Sequence, residues 1–419
     1  MHERIVALAL VIALMAVAGY PQQPSAFRLS GFLSARDVYG SGQEPWTRGG
    51  FGRLEQGGQT VDDSRTAAFG LAQLGLDWQP VRWFDVHAQG LGRYEPPGAG
   101  GKRAGIVEAY ADLRGSWTSD QLQLRAGHFF LPTSRENREA LWTSPYTLTL
   151  STLNSWIAEE LRPIGVDAEW RHTFTAGSVF TLGGTAFRGN DSSGALLAWR
   201  GWSVGNRISV YDEVLPLPPL FSFHDPRMFA EQRSDGTRPF GTDLDGRTGF
   251  AGRARVALPG RGMLQLAHVD NRADRQLYHG EYAWRTKLNI LSGEVGSPDG
   301  NILVAEYANG STGMGFAPKA FAQLDVHSGY LLLSHKNGRN RYSARIETFG
   351  TNDRDHSIAE TNTEHGRAWS LAWLYDVSPA LRLSAEFTQI TGNRLAVQES
   401  GGDPNLDGRS VIVELRYGF

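Results

Sequence analysis

The last nine residues, Val411–Phe419 (VIVELRYGF), decide the fold. In an extended chain, successive side chains point to opposite faces. Val411, Val413, Leu415, Tyr417 and Phe419 therefore share one face, and Ile412, Glu414, Arg416 and Gly418 the other. One face is wholly apolar and ends on aromatics, while the other carries a carboxylate and a guanidinium. Such a strand is suited to hydrocarbon on one side and a wetter interior on the other.

The same alternation recurs along the chain. Leu122, Leu124 and Ala126 alternate with Gln121, Gln123 and Arg125; Leu381, Leu383, Ala385 and Phe387 alternate with Arg382, Ser384 and Glu386. Short turns, such as Asn337-Gly338 with its strong hairpin preference, take turns with long polar connections. Counting the segments gives about 16 strands, an even number, with both termini on the side of the short turns. Periodicity alone does not separate a membrane barrel from a sandwich with a dry core. Aromatic residues decide: Trp78, Trp83, Trp117, Tyr342, Tyr375 and Tyr417 gather at the short-turn ends, as an interfacial girdle does. No blade repeat of roughly forty residues supports a propeller. The expected fold is an all-β transmembrane antiparallel β-barrel of about 16 strands, with long external loops and short periplasmic turns.

Composition agrees. The 419 residues include 50 glycines and no cysteine, with a formal net charge of -3 that gives no reason to expect nucleic acid as a partner. The one long apolar run, residues 5–18, ends on Ala16-Val17-Ala18 and reads as a cleaved signal peptide over residues 1–18, with a single anchoring helix as the alternative. Residues 19–419 then form the barrel, placed in the bacterial outer membrane and contacting its lipids.

Two pieces carry a family resemblance. The closing strand with its terminal aromatic resembles that of bacterial outer-membrane β-barrels. Leu124–Asn137 (LRAGHFFLPTSREN) followed by Glu160–Trp170 (ELRPIGVDAEW) resembles a strand, the third external loop and the next strand of porins of the phosphate-selective porin-like group. The resemblance implies that loop 128–162 folds inward and narrows a pore, and that homotrimers are possible. Residue chemistry is compatible with a mixed-charge constriction lined by Arg135, Glu136, Arg138, Glu139, Glu159, Glu160 and Arg162, with merely solvated loop charges as the alternative.

The pore wall is expected to carry Arg125, Asp167, Glu169, Arg171, Arg253, Arg255, Arg285, Lys287, Arg341 and Arg345. Arg253, Arg255, Arg285, Lys287, Arg341 and Arg345 would form a basic sector. Asp85, Glu108, Asp112, Asp167 and Glu169 would oppose it and set a transverse field. The alternative is that these charges pair along the wall. The sequence lacks a lysine cluster of the phosphate-specific kind, so the expected solutes are small polar or anionic molecules.

Two motifs match out of context. Gly201-Trp-Ser203-Val-Gly205 fits GxSxG but falls within the long external loop 189–247, not on a strand-turn-helix elbow. Asp403-Pro-Asn405-Leu-Asp407-Gly408 fits a calcium loop, yet Glu414 lies within the closing strand; Asp243-Leu-Asp245-Gly246 is a weaker copy. The functional expectation is a passive diffusion porin with no catalytic residue, metal or cofactor. The competing classes are a phospholipase-like membrane enzyme and a plugged barrel acting as receptor or adhesin through loop 189–247.

Overall fold

The computed structural model describes residues 26–419 except 61, 138, 356, 358 and 359. The expected signal peptide lies outside the described residues. Sixteen antiparallel strands close into one barrel. In chain order they are β1 (Ala26–Ser41), β2 (Ser64–Val81), β3 (Phe84–Tyr94), β4 (Ala104–Ser116), β5 (Asp120–His128), β6 (Ile164–Thr173), β7 (Val179–Arg188) and β8 (Gly249–Leu258). The second half comprises β9 (Gly262–Asp270), β10 (Arg285–Gly296), β11 (Asn301–Gly315), β12 (Phe321–Asn337), β13 (Asn340–Asp353), β14 (Glu364–Asp376), β15 (Leu381–Arg394) and β16 (Gly408–Gly418). Every strand pairs with its sequence neighbours, and β16 returns to β1 with Leu33 opposite Tyr417 and Tyr39 opposite Val411.

Closure matters because hydrocarbon offers no hydrogen bonds to a free strand edge. The seam extends to the last residue. Gly31 N donates to Phe419 O and Phe419 N to Gly31 O, both at 3.0 Å. A Cβ at Gly31 would come within 2.7 Å of the Phe419 ring, so glycine is what lets the terminal aromatic lie against β1. At the β12–β13 hairpin, Gly338 has φ +59, the left-handed conformation that an Asn-Gly turn requires.

Facing follows the alternation. Val411, Val413, Leu415, Tyr417 and Phe419 are 40–53% exposed on the outside, while Ile412 and Glu414 are buried inside. The outer surface also presents Leu29, Leu266, Leu291, Val295, Leu333 and Ile346. An apolar belt of this extent would be a liability in water and is stable against lipid. At the short-turn end, Phe27 stacks on Trp78 with ring centroids 5.8 Å apart, and Trp117, Tyr342 and Tyr417 are exposed nearby, forming the girdle.

Strands extend further outward than alternation shows. Residues 309–315 continue β11 past the apolar belt, with Gly310 opposite Val326. Conversely, Glu281–Tyr282 pairs with Leu277–Tyr278 outside the barrel, and β10 begins only at Arg285. Above the lipid belt the ladder continues without an apolar face, which leaves no periodic signal to read.

Candidate functional site: the segments folded into the lumen

The segment between β5 and β6, residues 129–163, runs through the barrel interior. It contains helix α1 (Thr152–Glu160), capped by Ser151, whose side chain accepts from Asn154 N. All nine residues of α1 are buried, an arrangement suited to a helix surrounded by protein. Its outgoing limb has almost no repetitive structure, so its backbone amides need partners from the wall.

Inward-facing carboxylates supply them. Glu306 on β11 accepts from Arg135 N at 2.7 Å and from Asn154 Nδ2 at 2.8 Å. Glu347 on β13 accepts from Thr152 N at 2.6 Å, and Glu386 on β15 from Leu148 N at 2.6 Å and Thr149 N at 3.1 Å. Across the barrel, Glu108 on β4 accepts from Phe130 N at 2.7 Å. Arg345 on β13 balances the charge. It donates to Glu136, Glu347 and the carbonyl of Thr149 at 2.7 Å each, and to Leu150 O at 3.1 Å. Charge-assisted bonds of this kind are the strong class, and here they are dry.

The second inward segment lies between β7 and β8, residues 189–248, and contains the short helix α2 (Ala195–Trp199). Glu160 joins it to the first segment by accepting from Gly194 N at 3.0 Å and Leu196 N at 3.1 Å. Burial pushes the Glu160 carboxyl up to about 7 against these amides, which favour its charged form. Arg394 on β15 and Arg53, from the connection after β1, both engage Glu364 on β14, and Trp202 N donates to the same carboxylate. Apolar packing completes the assembly. Trp199 meets Phe223, Phe229 and Trp284 with centroids 4.9–5.4 Å apart, inside one cluster that also takes in Trp156 and Trp202.

These positions revise the expected constriction. Glu136, Glu159, Glu160 and Arg162 are buried joints rather than pore lining. Arg200 engages Glu159, and Arg162 lies between the Phe130 and Phe240 rings, 4.3 and 4.5 Å from their centroids. Arg135 is half-buried beside Glu294, Glu139 is exposed 3.8 Å from Arg382, and Arg138 lies outside the described residues.

The wall changes too. Arg285 and Lys287 face outward, on the same side of β10 as Leu291 and Val295, and pair with Asp270 above the lipid belt. Their place in a basic sector fails because Thr286, Leu288 and Ile290 are the inward set. The opposed sectors fail as well. Arg253 donates to Asp167 at 2.7 and 2.9 Å and to Glu169 at 2.7 Å, so these opposite charges are neighbours. Arg255 approaches Glu169 at 3.5 Å, with Arg171 exposed farther down the same face of β6. Arg125 pairs with Asp112 and lies 4.0 Å from the Tyr110 centroid. Arg341 faces inward and donates to Pro298 O at 2.7 Å, whereas Arg345 is wholly buried.

Glu306, Glu347, Glu386, Arg53 and Arg394 were not anticipated. The inward facing of Glu306, Glu347 and Glu386 was readable from alternation; that of Arg53, in a connection, was not, nor was the role of any of them as anchors.

Two spaces remain. One, of about 50 Å³, lies between the β1–β3 wall and the inserted segments, bordered by Arg36, Gln73, Arg93, Glu55, Glu95 and Arg207. The other, of about 310 Å³, sits at the short-turn mouth, where Lys336, Arg341 and Arg382 face Glu139, Asp299 and Asp376.

GxSxG and the Asp403–Gly408 turn do not build their sites, whereas the weaker copy brings Asp243 and Asp245 within 4.8 Å of Asp191. Ser203 Oγ accepts from Arg200 at 3.0 Å, and a guanidinium is no general base. Glu414 engages Ser34, Arg36 and Arg416, while Asp407 accepts from Gly392 N.

No family model matches the chain, and no curated protein does. Solved structures do match. The outer membrane channel DcaP of Acinetobacter baumannii aligns with TM-score 0.55 at 12% identity, over 96% of this chain and 100% of that one. The chain has the fold of the outer-membrane porins. Salmonella typhi OmpF, solved in complex with daunomycin, aligns with TM-score 0.53 at 12% identity, covering 94% and 97% of the two chains. The anion-selective porin from Comamonas acidovorans gives 0.50 at 10% identity, covering 94% and 100%. In this chain, residues 129–163 and 189–248 both enter the barrel interior.

Proposed function

We propose that the protein is an outer-membrane diffusion channel for small polar or anionic solutes, narrowed by residues 129–163 and 189–248. The carrying observation is the first of these segments, drawn through the lumen and fixed to opposite walls by Glu306, Glu347, Glu386 and Glu108. A path bordered by both signs of charge admits hydrated polar molecules and excludes by width. The mixed lining at both remaining spaces favours polar and zwitterionic solutes as well as anions. The resemblance to the phosphate-selective group adds the inward loop to this reading, and phosphate itself is one solute to test.

Reconstituted in a planar bilayer, the purified chain should give stepwise conductance. Deleting residues 133–156 should enlarge the step. A membrane that stays tight at high protein load would refute the channel, and an unchanged step would remove this segment as its constriction.

The buried tryptophans favour a second reading, a plugged barrel serving as a surface receptor. It requires conductance to appear only after residues 189–247 are deleted.

Homotrimer assembly is part of the proposal. Its support is a shallow outer groove where small residues, Ala35, Gly70, Ala72 and Gly92, replace bulky ones between Leu33 and Tyr94. Close approach of a second wall suits such a face. Sedimentation in detergent tests it, and a monomer at all concentrations would refute it.

A further inference from the structure

We propose that the loop joining β13 to β14 binds one Ca2+ through Asp353, Asp355 and Glu360. One carboxylate oxygen from each of these residues lies within 4.8 Å of the others. Two oxygens on a single Ca2+ stand at most about 4.8 Å apart, given bonds of about 2.4 Å, so the trio lies within reach of one ion.

The aspartates are held in place by backbone amides. Asp353 accepts from Asp355 N at 3.0 Å and Asn362 N at 3.2 Å; Asp355 accepts from Ser357 N at 2.9 Å and Gln323 N at 2.8 Å. A carboxylate oxygen has two lone pairs, so one amide bond to it does not by itself bar a cation.

Glu360 supplies the independent observation. It is 3% exposed, and although Oε2 accepts from Asn362 Nδ2 at 2.8 Å, Oε1 is buried with no hydrogen-bond partner. Burying a carboxylate oxygen unsatisfied is costly, and doing so beside two more carboxylates is costlier. Asp355, Asp353 and Glu399 are the acidic groups that face it. Arg394, the basic group that faces it, is committed to Glu364 at 2.9 Å. A cation at the meeting point of the three carboxylates resolves the conflict. An all-oxygen set on an irregular loop suits Ca2+, which tolerates variable geometry, better than Mg2+ or a softer metal.

The position gives the ion a structural task. Asp355 ties the loop to Gln323 at the outer end of β12, and Glu399 of the last external connection accepts from Ser222 N in the segment between β7 and β8. Ca2+ would thus fasten one external loop where it meets two others above the lumen.

The test is calorimetric titration of the EDTA-stripped, refolded full chain with CaCl2. Wild type should bind one Ca2+ with Kd of about 10⁻⁴ M, the range of extracellular modules. Glu360→Gln and Asp355→Asn should each weaken binding at least tenfold, and Asp403→Asn with Asp407→Asn should leave it unchanged. Folding of each variant is scored by the heat-modifiable gel shift of the barrel. If Glu360→Gln does not fold, Asp355→Asn and Asp353→Asn decide by the same criterion. Absence of wild-type binding up to about 10 mM, or equal affinity in the folded variants, would overturn the site. Binding of Mg2+ alone would overturn the assignment to Ca2+.

Discussion

Arg345→Ala should release the segment that crosses the lumen while leaving the barrel closed. The Arg345 guanidinium is fully buried and engages Glu136, Glu347 and the carbonyls of Thr149 and Leu150. Its removal strands two buried carboxylates, a change that costs about 3–5 kcal/mol. The barrel is held by continuous ladders that do not involve this side chain. The loss therefore falls on local opening of residues 133–152 rather than on global unfolding. At 1.4 kcal/mol per decade, the open population should rise by roughly two to three and a half orders of magnitude. Amide exchange measured by mass spectrometry reads this directly, through peptides covering Leu148, Thr149 and Thr152. Their exchange should accelerate at least a hundredfold while strand peptides stay protected. Combining Arg345→Met with Glu136→Gln and Glu347→Gln should recover most of the protection, because no charge is then left unpaired. Exchange within threefold of wild type in the single variant would refute the clamp.

Two further outcomes test other parts of the molecule. Glu160 has its carboxyl raised by burial from the ordinary 4.5 to about 7, so its contribution to packing is complete below about 4.5 and lost as pH rises through about 7. The shift corresponds to roughly 3 kcal/mol. Proteolysis of residues 189–247 should therefore be faster at pH 8 than at pH 5, and Glu160→Gln should abolish the difference; an unaltered pH dependence would exclude Glu160 as its source. On the outside, Leu291 stands mid-strand in β10 between Leu266 and Tyr307 and is 44% exposed. Leu291→Arg should lower the folding equilibrium in vesicles by about 2–4 kcal/mol in urea titrations, the cost of a cation near the bilayer centre. Equal stability would place this face away from lipid.

How much of this was legible in the sequence depended on which residues touch lipid. The closing strand, the even strand count and the division into short turns and long connections followed from alternation, since a one-residue slip would turn Val413 inward and Glu414 into hydrocarbon. The inward course of residues 128–162 was expected through the resemblance, not through periodicity. Arg285 and Lys287 show where alternation ran out. They sit above the lipid belt, where an outward charge costs nothing, so polarity no longer reports facing. The charged sectors failed for a different reason. Alternation places Arg253 and Asp167 on the inner face but says nothing of their separation around the barrel. The pairing of β7 between β6 and β8 brings them within 2.7 Å. Glu136 and Glu160 looked like pore lining because loop charges are usually solvated; their burial is set by wall groups distant in sequence.

The two inserted segments are held by different physics, and that difference locates the passage in the proposed channel. Residues 133–152 are anchored by carboxylates and Arg345 on β11, β13 and β15, with Glu108 on β4 taking the entry limb. The segment after β7 is fastened to β10, β14 and β15 through Thr286, Glu364 and Arg394, and its apolar side packs on Trp284. Both are anchored on the β10–β15 half, and Glu108 on β4 ties the first to the opposite wall as well. The β1–β3 wall opposite receives them chiefly through Glu55, Glu95 and Arg207, and there the interior space lined by Arg36 and Arg93 persists. The short-turn mouth presents Arg341 and Arg382, and the interior space Arg36 and Arg93, each set with carboxylates within reach. Conduction along that side needs side chains to shift rather than either segment to leave. This is why loosening Arg345 should widen the channel without being required to open it.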